Sequence, residues 1–252
     1  MARRNHESNK EHITGEQQEE RPKRQERAER ILEAAATLIE RWGYSKTTMD
    51  DIARAAGVSK GTLYLHWKTK EDLLHALYYR ESVKLTKDIE ERIAGDPEGL
   101  SLASLMKHAM LATTKNPFMM AILTRDTDML GEFAQREYGD ALNQQNIARF
   151  HALLEALRGQ GQLRTDISLH DQIYLLEAIS WGLMTVGPFL PEDMRVSDER
   201  AADLLSDVMQ RVFEPRSPAD SGEKKAASRL IGNYLKEAVD SVQEENKRGI
   251  ES

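Results

Sequence analysis

Apolar residues along the chain recur at three- and four-residue steps, and this pattern predicts helices from end to end. Ile31, Ala34, Ala35, Leu38, Ile39 and Trp42 make one amphipathic stripe, which Gly43 closes. The first 22 residues carry no such stripe and are rich in Glu, Gln, Asn and Arg, so they read as a disordered tail with the helix beginning near Arg24. Thr48 then precedes a short second helix, with Asp51 as its reciprocal capping partner and Ile52, Ala53 and Ala56 turned inward. After Gly57, Ser59 caps a third short helix to about His66, anchored by Val58 and Leu63. Two short helices about a glycine turn are a candidate helix-turn-helix. Thr69 caps a fourth helix, with Glu71 and Asp72 in its first turn, long enough to reach Ala94 and connect a head to a body.

Beyond Gly95-Asp96-Pro97 the pattern gives helices at roughly 100–114, 117–124, 127–135, 138–158, 168–187 and 198–213, broken at Asn116-Pro117, Gly159/Gly161 and Pro188 to Pro191. A last amphipathic segment lies between Glu223 and Lys247, marked by Leu230, Ile231, Tyr234, Leu235, Ala238, Val239 and Val242. It can pack on its own body or offer a face to a partner. The expected fold is all-α: an N-terminal three-helix helix-turn-helix domain over 23–84, a helical bundle over 85–215, and an extension over 216–252.

Composition narrows the chemistry. The chain has no cysteine, which excludes disulfides, thiolate metal sites and cysteine nucleophiles. No glycine-rich phosphate loop or nucleophile motif appears, and His75, His108, His151 and His170 are scattered singly, so an enzyme is not expected and neither is a cofactor or metal. No signal-peptide pattern or long apolar run is present, which gives a cytoplasmic expectation. The net charge of −7 is unevenly spread. Residues 21–70 hold eleven Lys/Arg against six Asp/Glu, whereas the remainder is acidic, and a basic head on an acidic body orients a protein on DNA.

The putting of small side chains on the third helix fits that reading. A helix enters the major groove closely only if its exposed face does not hold the backbone away, and Ser59, Gly61 and Thr62 meet that need. Lys60 can reach a guanine edge, while Thr62 and Leu65 can touch thymine methyls. Arg21-Pro22-Lys23-Arg24 could add a flexible minor-groove arm or be a solvated tail.

Residues Gly43 to Leu74 resemble the N-terminal signature of the TetR (tetracycline repressor) family. The likeness rests on Gly43-Tyr44, Thr47-Thr48, Ile52-Ala53, Ala56-Gly57-Val58-Ser59, Gly61, Leu63-Tyr64, His66 with a following aromatic, Lys70 and Leu73-Leu74, with Trp67 where the family usually has Phe. It implies a transcription regulator, in most cases a repressor, that binds double-stranded DNA as a homodimer and is released by a small hydrophobic or aromatic ligand. An activator or a regulator controlled through a protein partner would share the same head. By the matching positions Tyr64, His66 and Lys70 contact phosphates, Thr48 presents a helix N-terminus to another, and Lys46 and Thr47 join the DNA-facing set. Tyr64 can alternatively be a core aromatic, whereas Trp67 is one.

The resemblance also implies a dimer through the last two body helices, here 168–187 and 198–213, which would set two recognition helices one DNA turn, about 34 Å, apart. The helix at 168–187 is apolar nearly all round, as expected of one buried on two sides. On it Tyr174, Glu177, Trp181 and Met184 share one stripe, setting a lone carboxylate among aromatics. One reading is a pocket for an aromatic or cationic ligand, further lined by Met106, Met110, Phe118, Asn146 and Phe150. The other is that Glu177 pairs with an arginine at the dimer rim among ordinary core residues.

Overall fold

The computed structural model of the chain describes residues 15–96, 100–133, 141–215 and 221–251. Every regular element among them is a helix. The head comprises α1 (Gly15–Trp42), α2 (Met49–Ala55) and α3 (Lys60–Tyr64), and α4 (Lys70–Ala94) leads from it into the body. The body continues with α5 (Leu102–Thr114), α6 (Pro117–Thr124), α7 (Thr127–Leu130), α8 (Ala141–Gly159), α9 (Leu169–Thr185), α10 (Asp198–Phe213) and α11 (Ser221–Glu251).

Local chemistry accounts for most boundaries. Thr48 and Asp51 close the expected capping box on α2, and Thr69 and Asp72 close another on α4. Ser59 accepts from the Thr62 amide at 3.0 Å to start α3, and Asn116 with Pro117 starts α6. Gly43 turns the chain between α1 and α2 at φ +80°, and a Cβ there would lie 2.6 Å from the Asp128 carbonyl oxygen. That close approach lets the Tyr44 amide donate to Met129 O at 2.7 Å, tying the head to α7.

Helix α1 departs from expectation at its start. It begins at Gly15 and runs through Pro22, so residues 15–22 are helical and the Arg21-Pro22-Lys23-Arg24 segment belongs to a helix. The rest of the expected tail, residues 1–14, lies outside the described residues, as does the 134–140 stretch in which two body helices were expected to meet. Trp42 closes the α1 stripe half-exposed, with the Arg41 guanidinium 5.9 Å from its ring centroid.

Two cores result. Ile31, Leu32, Ala35 and Ile39 of α1 pack on Ile52, Leu63, Trp67, Leu73, Leu74 and Leu77, with Phe118 and Leu130 closing the body side. The second core joins α5, α8, α9 and α10 through Leu105, Leu154, Leu157, Leu176, Leu205, Met209 and Phe213. Helix α11 packs against α4 and α8, burying Ala227, Ile231, Leu235 and Val242; Val242 reaches the head-side core. The extension is therefore part of the body. Helix α9 buries Gln172, Leu176 and Ser180 but exposes Leu175, Ala178, Gly182 and Val186 along the opposite face, so within one chain it is covered on one side only. No described helix is long and apolar enough to cross a membrane.

Between the cores lies a polar junction. Arg80 of α4 is buried, and its guanidinium meets Glu81 Oε1 at 2.6 Å, Glu33 Oε2 at 3.0 Å and Glu29 Oε1 at 3.1 Å. Asn116 donates to the other oxygen of Glu81 at 3.0 Å, and Lys84 approaches both Glu33 and Glu81 at 3.3 Å. One arginine thus links α1, α4 and, through Glu81, the start of α6.

Candidate nucleic-acid interface and effector cavity

The α2–turn–α3 unit presents its polar face outward. Ser59, Lys60 and Gly61 are exposed, Thr62 is half-buried with its hydroxyl 2.8 Å from that of Ser59, and Leu65 is 78% exposed, an uncommon position for leucine. Tyr64 is also exposed, with Lys60 Nζ 6.0 Å from its ring centroid, so it is not a core aromatic. Lys60 rests on Asp50 at 2.7 Å, and that hydrogen bond and charge raise its pKa. Gly61 has no internal explanation: an added Cβ would meet nothing nearer than Ser59 Oγ at 3.8 Å, and its φ is ordinary. A glycine inside a helix costs about 1 kcal/mol relative to alanine, and here the fold itself does not require it.

Other expected contact residues lie differently. Lys46 and Thr48 are exposed, but Thr47 is fully buried and donates its hydroxyl to Gly43 O at 2.9 Å. Its role is to hold the turn. Lys70 is also structural: its ammonium donates to Tyr44 O at 2.8 Å and Thr47 O at 2.9 Å, 3.9 Å from the Tyr44 ring centroid, and burial lowers its pKa. His66 is buried against Trp67, with ring centroids 5.3 Å apart, and its Nδ1 finds no partner among the described residues. Burial, then the nearby charges of Arg24 and Arg27, lower its pKa, which leaves it neutral at pH 7. The α1 turn that carries Arg24 and Arg27 therefore lies beside His66, a placement that a reading of residues 21–24 as a loose arm does not give.

The body holds a cavity of about 610 Å³ bounded by α4, α5, α6, α8, α9 and α11. Met106, Asn146, Phe150, Glu177 and Trp181 line it, as the spacing predicts. Three expected lining residues do not. Met110 turns one step past the Leu105, Met106, Ala109 and Thr113 stripe into the body core, Phe118 points into the head-side core, and Tyr174 is 70% exposed on the outside of α9. Tyr78, Ser82, Leu85, Thr86 and Ile89 of α4 form one wall, and Tyr234, Leu235, Ala238 and Val242 of α11 form another. The helical stripe on 223–247 identified these α11 side chains as apolar, but not that they face a cavity.

Within this apolar lining Glu177 is the single formally charged residue at pH 7. It is reached through the open side of the cavity yet flanked by protein, and loss of hydration raises its pKa against the opposing effects of His151 and a hydrogen bond from Trp181. Burial, more than the nearby Glu177, also raises the Tyr234 hydroxyl pKa, while Arg149 opposes it. Arg149 itself is engaged with Glu237 O at 3.2 Å and Ser241 Oγ at 2.8 Å on α11. No group of three or more potential ligands that could hold a metal occurs among the described residues.

An exposed recognition helix on a capped head, joined by a long helix to a hollow bundle, defines a helix-turn-helix DNA-binding regulator. Residues 31–77 match the family described as "Bacterial regulatory proteins, tetR family". YerO of Bacillus subtilis, an HTH-type transcriptional regulator, is 41% identical over 75 residues, which are 29% of this chain and 26% of that protein, so this match spans about a quarter of YerO. The HTH-type transcriptional regulator AcrR of Shigella flexneri is 24% identical over 193 residues, 74% of this chain and 89% of that protein. Among solved structures, the complex of SmeT from Stenotrophomonas maltophilia with triclosan superposes with a TM-score of 0.54 at 23% identity, covering 77% of this chain and 99% of that one. Residues 31–77 thus form a TetR-type helix-turn-helix head, and the chain is similar to DNA-binding transcription regulators of that family in sequence there and in fold beyond it.

Proposed function

We propose that the protein is a cytoplasmic homodimeric repressor whose hold on a near-palindromic operator is released when a small, largely apolar molecule enters the cavity. The observation that carries this reading is the double service of α4. Its first turns supply Leu73, Leu74 and Leu77 to the head core, and its next turns supply Tyr78, Ser82, Leu85, Thr86 and Ile89 to the cavity wall. A molecule that fits the cavity better when α4 has moved shifts the population toward heads spaced wrongly for adjacent major grooves. SmeT, described as the repressor of a multidrug efflux pump and solved with triclosan, supports the use of this fold to hold a small apolar molecule.

The open face of α9 supports a two-fold partner. Leu175, Ala178, Gly182 and Val186 sit at helical spacing, and no atom lies within 4 Å of a Cβ placed on Gly182. Small residues there permit close approach of a second copy, with α10 beside it. Ser59, Lys60, Gly61, Thr62, Tyr64 and Leu65 read the operator, while Lys46, Thr48, Arg24 and Arg27 hold its backbone.

The test pairs Gly61→Ala with the wild type on DNA from upstream of the protein's own gene. The substitution raises the melting stability of the head by about 0.5–1 kcal/mol and yet weakens binding measured by fluorescence anisotropy. Binding that is unchanged or tighter overturns the recognition assignment. Native mass spectrometry of the same sample shows a mass near twice 28.6 kDa if the dimer is right.

A further inference from the structure

Resting on the cavity as the effector site, we propose that its ligand is a monovalent organic cation with a bulky apolar or aromatic body, its charge held between Glu177 of α9 and the Tyr234 ring of α11. The cavity is asymmetric in charge. It is lined by one carboxylate, four aromatic rings in Tyr78, Phe150, Trp181 and Tyr234, and no lysine, arginine or histidine. Asn146 supplies a neutral polar group on the same wall as Phe150. An anion entering this space meets Glu177, with no cation among the lining residues and His151 acting only from outside them, and the low polarity of the lining strengthens that repulsion.

The carboxylate is also incompletely answered by its own protein. Trp181 donates one hydrogen bond, and the basic group acting on it is His151; no ion pair of Glu177 is formed among the described residues. Arg149, the nearest arginine to Tyr234 in electrostatic effect, is held by α11 through Glu237 O and Ser241 Oγ and is not part of the lining. Glu177 is exposed on the open side of the cavity, so its charge is solvated until a ligand enters, and a ligand cation then takes the place of that water without moving any protein charge. The rings complete the site: Phe150 and Tyr234 pack on each other, tilted with centroids 6.0 Å apart, and together offer the cavity a joint aromatic surface against which a cation can rest.

This assigns α11 a specificity role. Tyr234, Leu235, Ala238 and Val242 close the side of the cavity opposite α5, and Tyr234 is the one of them able to meet charge. The site is thus built jointly by the TetR-like body and by the C-terminal helix of this chain. Tyr234→Phe keeps the ring and should retain cation binding, whereas Tyr234→Leu removes the π-face while filling much of the space.

Three probes of related shape separate the cases on the full-length protein by isothermal titration calorimetry: tetraphenylphosphonium, tetraphenylborate and neutral triphenylphosphine oxide. The phosphonium is expected to bind once per chain and at least tenfold more tightly than the borate. Glu177→Gln lowers its affinity at least tenfold, and Tyr234→Leu several-fold, in variants whose thermal melting shows them folded. Borate binding as tight as phosphonium binding, a phosphonium affinity unmoved by Glu177→Gln, or no phosphonium binding overturns the proposal. Tighter binding of the phosphine oxide overturns it too, by showing Glu177 acting as a neutral donor. Operator release by the borate or the oxide would leave the ligand-gated reading standing while the cation class fell, so the two failures are distinguishable.

Discussion

The head–body junction and the body cavity each set a carboxylate beside packed helices, buried at the first and exposed at the second, and they treat it in opposite ways. At the junction, Glu81 receives Arg80, Lys84 and Asn116, so both its oxygens are engaged by groups from α4 and the α5–α6 turn. In the cavity, Glu177 receives one indole N–H and faces open space. Completing a polar network fixes the packing of the elements that carry it, because each missing partner leaves a desolvated group behind. An incomplete network on an exposed carboxylate leaves it open to a partner from solvent. The same helix, α4, borders both regions: it is pinned at Arg80 and lines the cavity two turns later at Thr86 and Ile89.

Arg80→Ala should produce the largest change. It strands Glu81 in a buried position and releases Glu29 and Glu33, and removal of one partner from a buried pair costs about 3–5 kcal/mol. Urea unfolding measures this directly. Glu177→Gln in the ligand-free protein should shift stability by less than about 1 kcal/mol, as for sites outside the packed core. A loss at Glu177 equal to that at Arg80 would remove the distinction between a satisfied and a reserved carboxylate. Asn116→Ala stands between them: it deprives Glu81 Oε2 of its donor and α6 of its cap, and is expected to cost about 1–3 kcal/mol in the same assay.

These two regions were unequally legible in the sequence. The capping residues Thr48, Ser59, Thr69 and their partners could be read because each acts on an amide three residues away. The family resemblance points Lys70 at a phosphate, and nothing local shows that the carbonyls of Tyr44 and Thr47, 26 and 23 residues earlier, fold over its ammonium. Helical periodicity placed Met106, Asn146, Phe150, Glu177 and Trp181 on inward stripes, and they do meet. It could not separate a cavity wall from a filled core, which is why Met110 and Phe118 were misplaced. Tyr234 was missed as lining for a further reason: its helix reaches the cavity only by packing on α4 and α8, a tertiary choice with no mark in its own spacing.

The pH dependence of stability gives the smallest and most selective comparison, because the cavity and the head have opposite signs. Glu177 ionises near its ordinary value of 4.5 in the unfolded chain, but burial, opposed by His151 and Trp181, holds the folded carboxyl protonated to higher pH. Its contribution is therefore fully present below the unfolded pKa and is lost as pH rises through the folded one. His66 behaves conversely. Burial beside Trp67, with Arg24 and Arg27 close by, keeps it neutral when folded, so stability falls as pH drops below its ordinary 6.5 and the unfolded chain gains the proton. Melting curves across this range should lose the rising-pH penalty in Glu177→Gln and the acid-side penalty in His66→Phe. The carboxylate that forms over the first interval is also the species that binds a cation, so phosphonium affinity should climb with pH over the same range in which ligand-free stability declines. A flat affinity profile alongside an intact stability profile would mean that Glu177 titrates in the cavity without taking part in recognition.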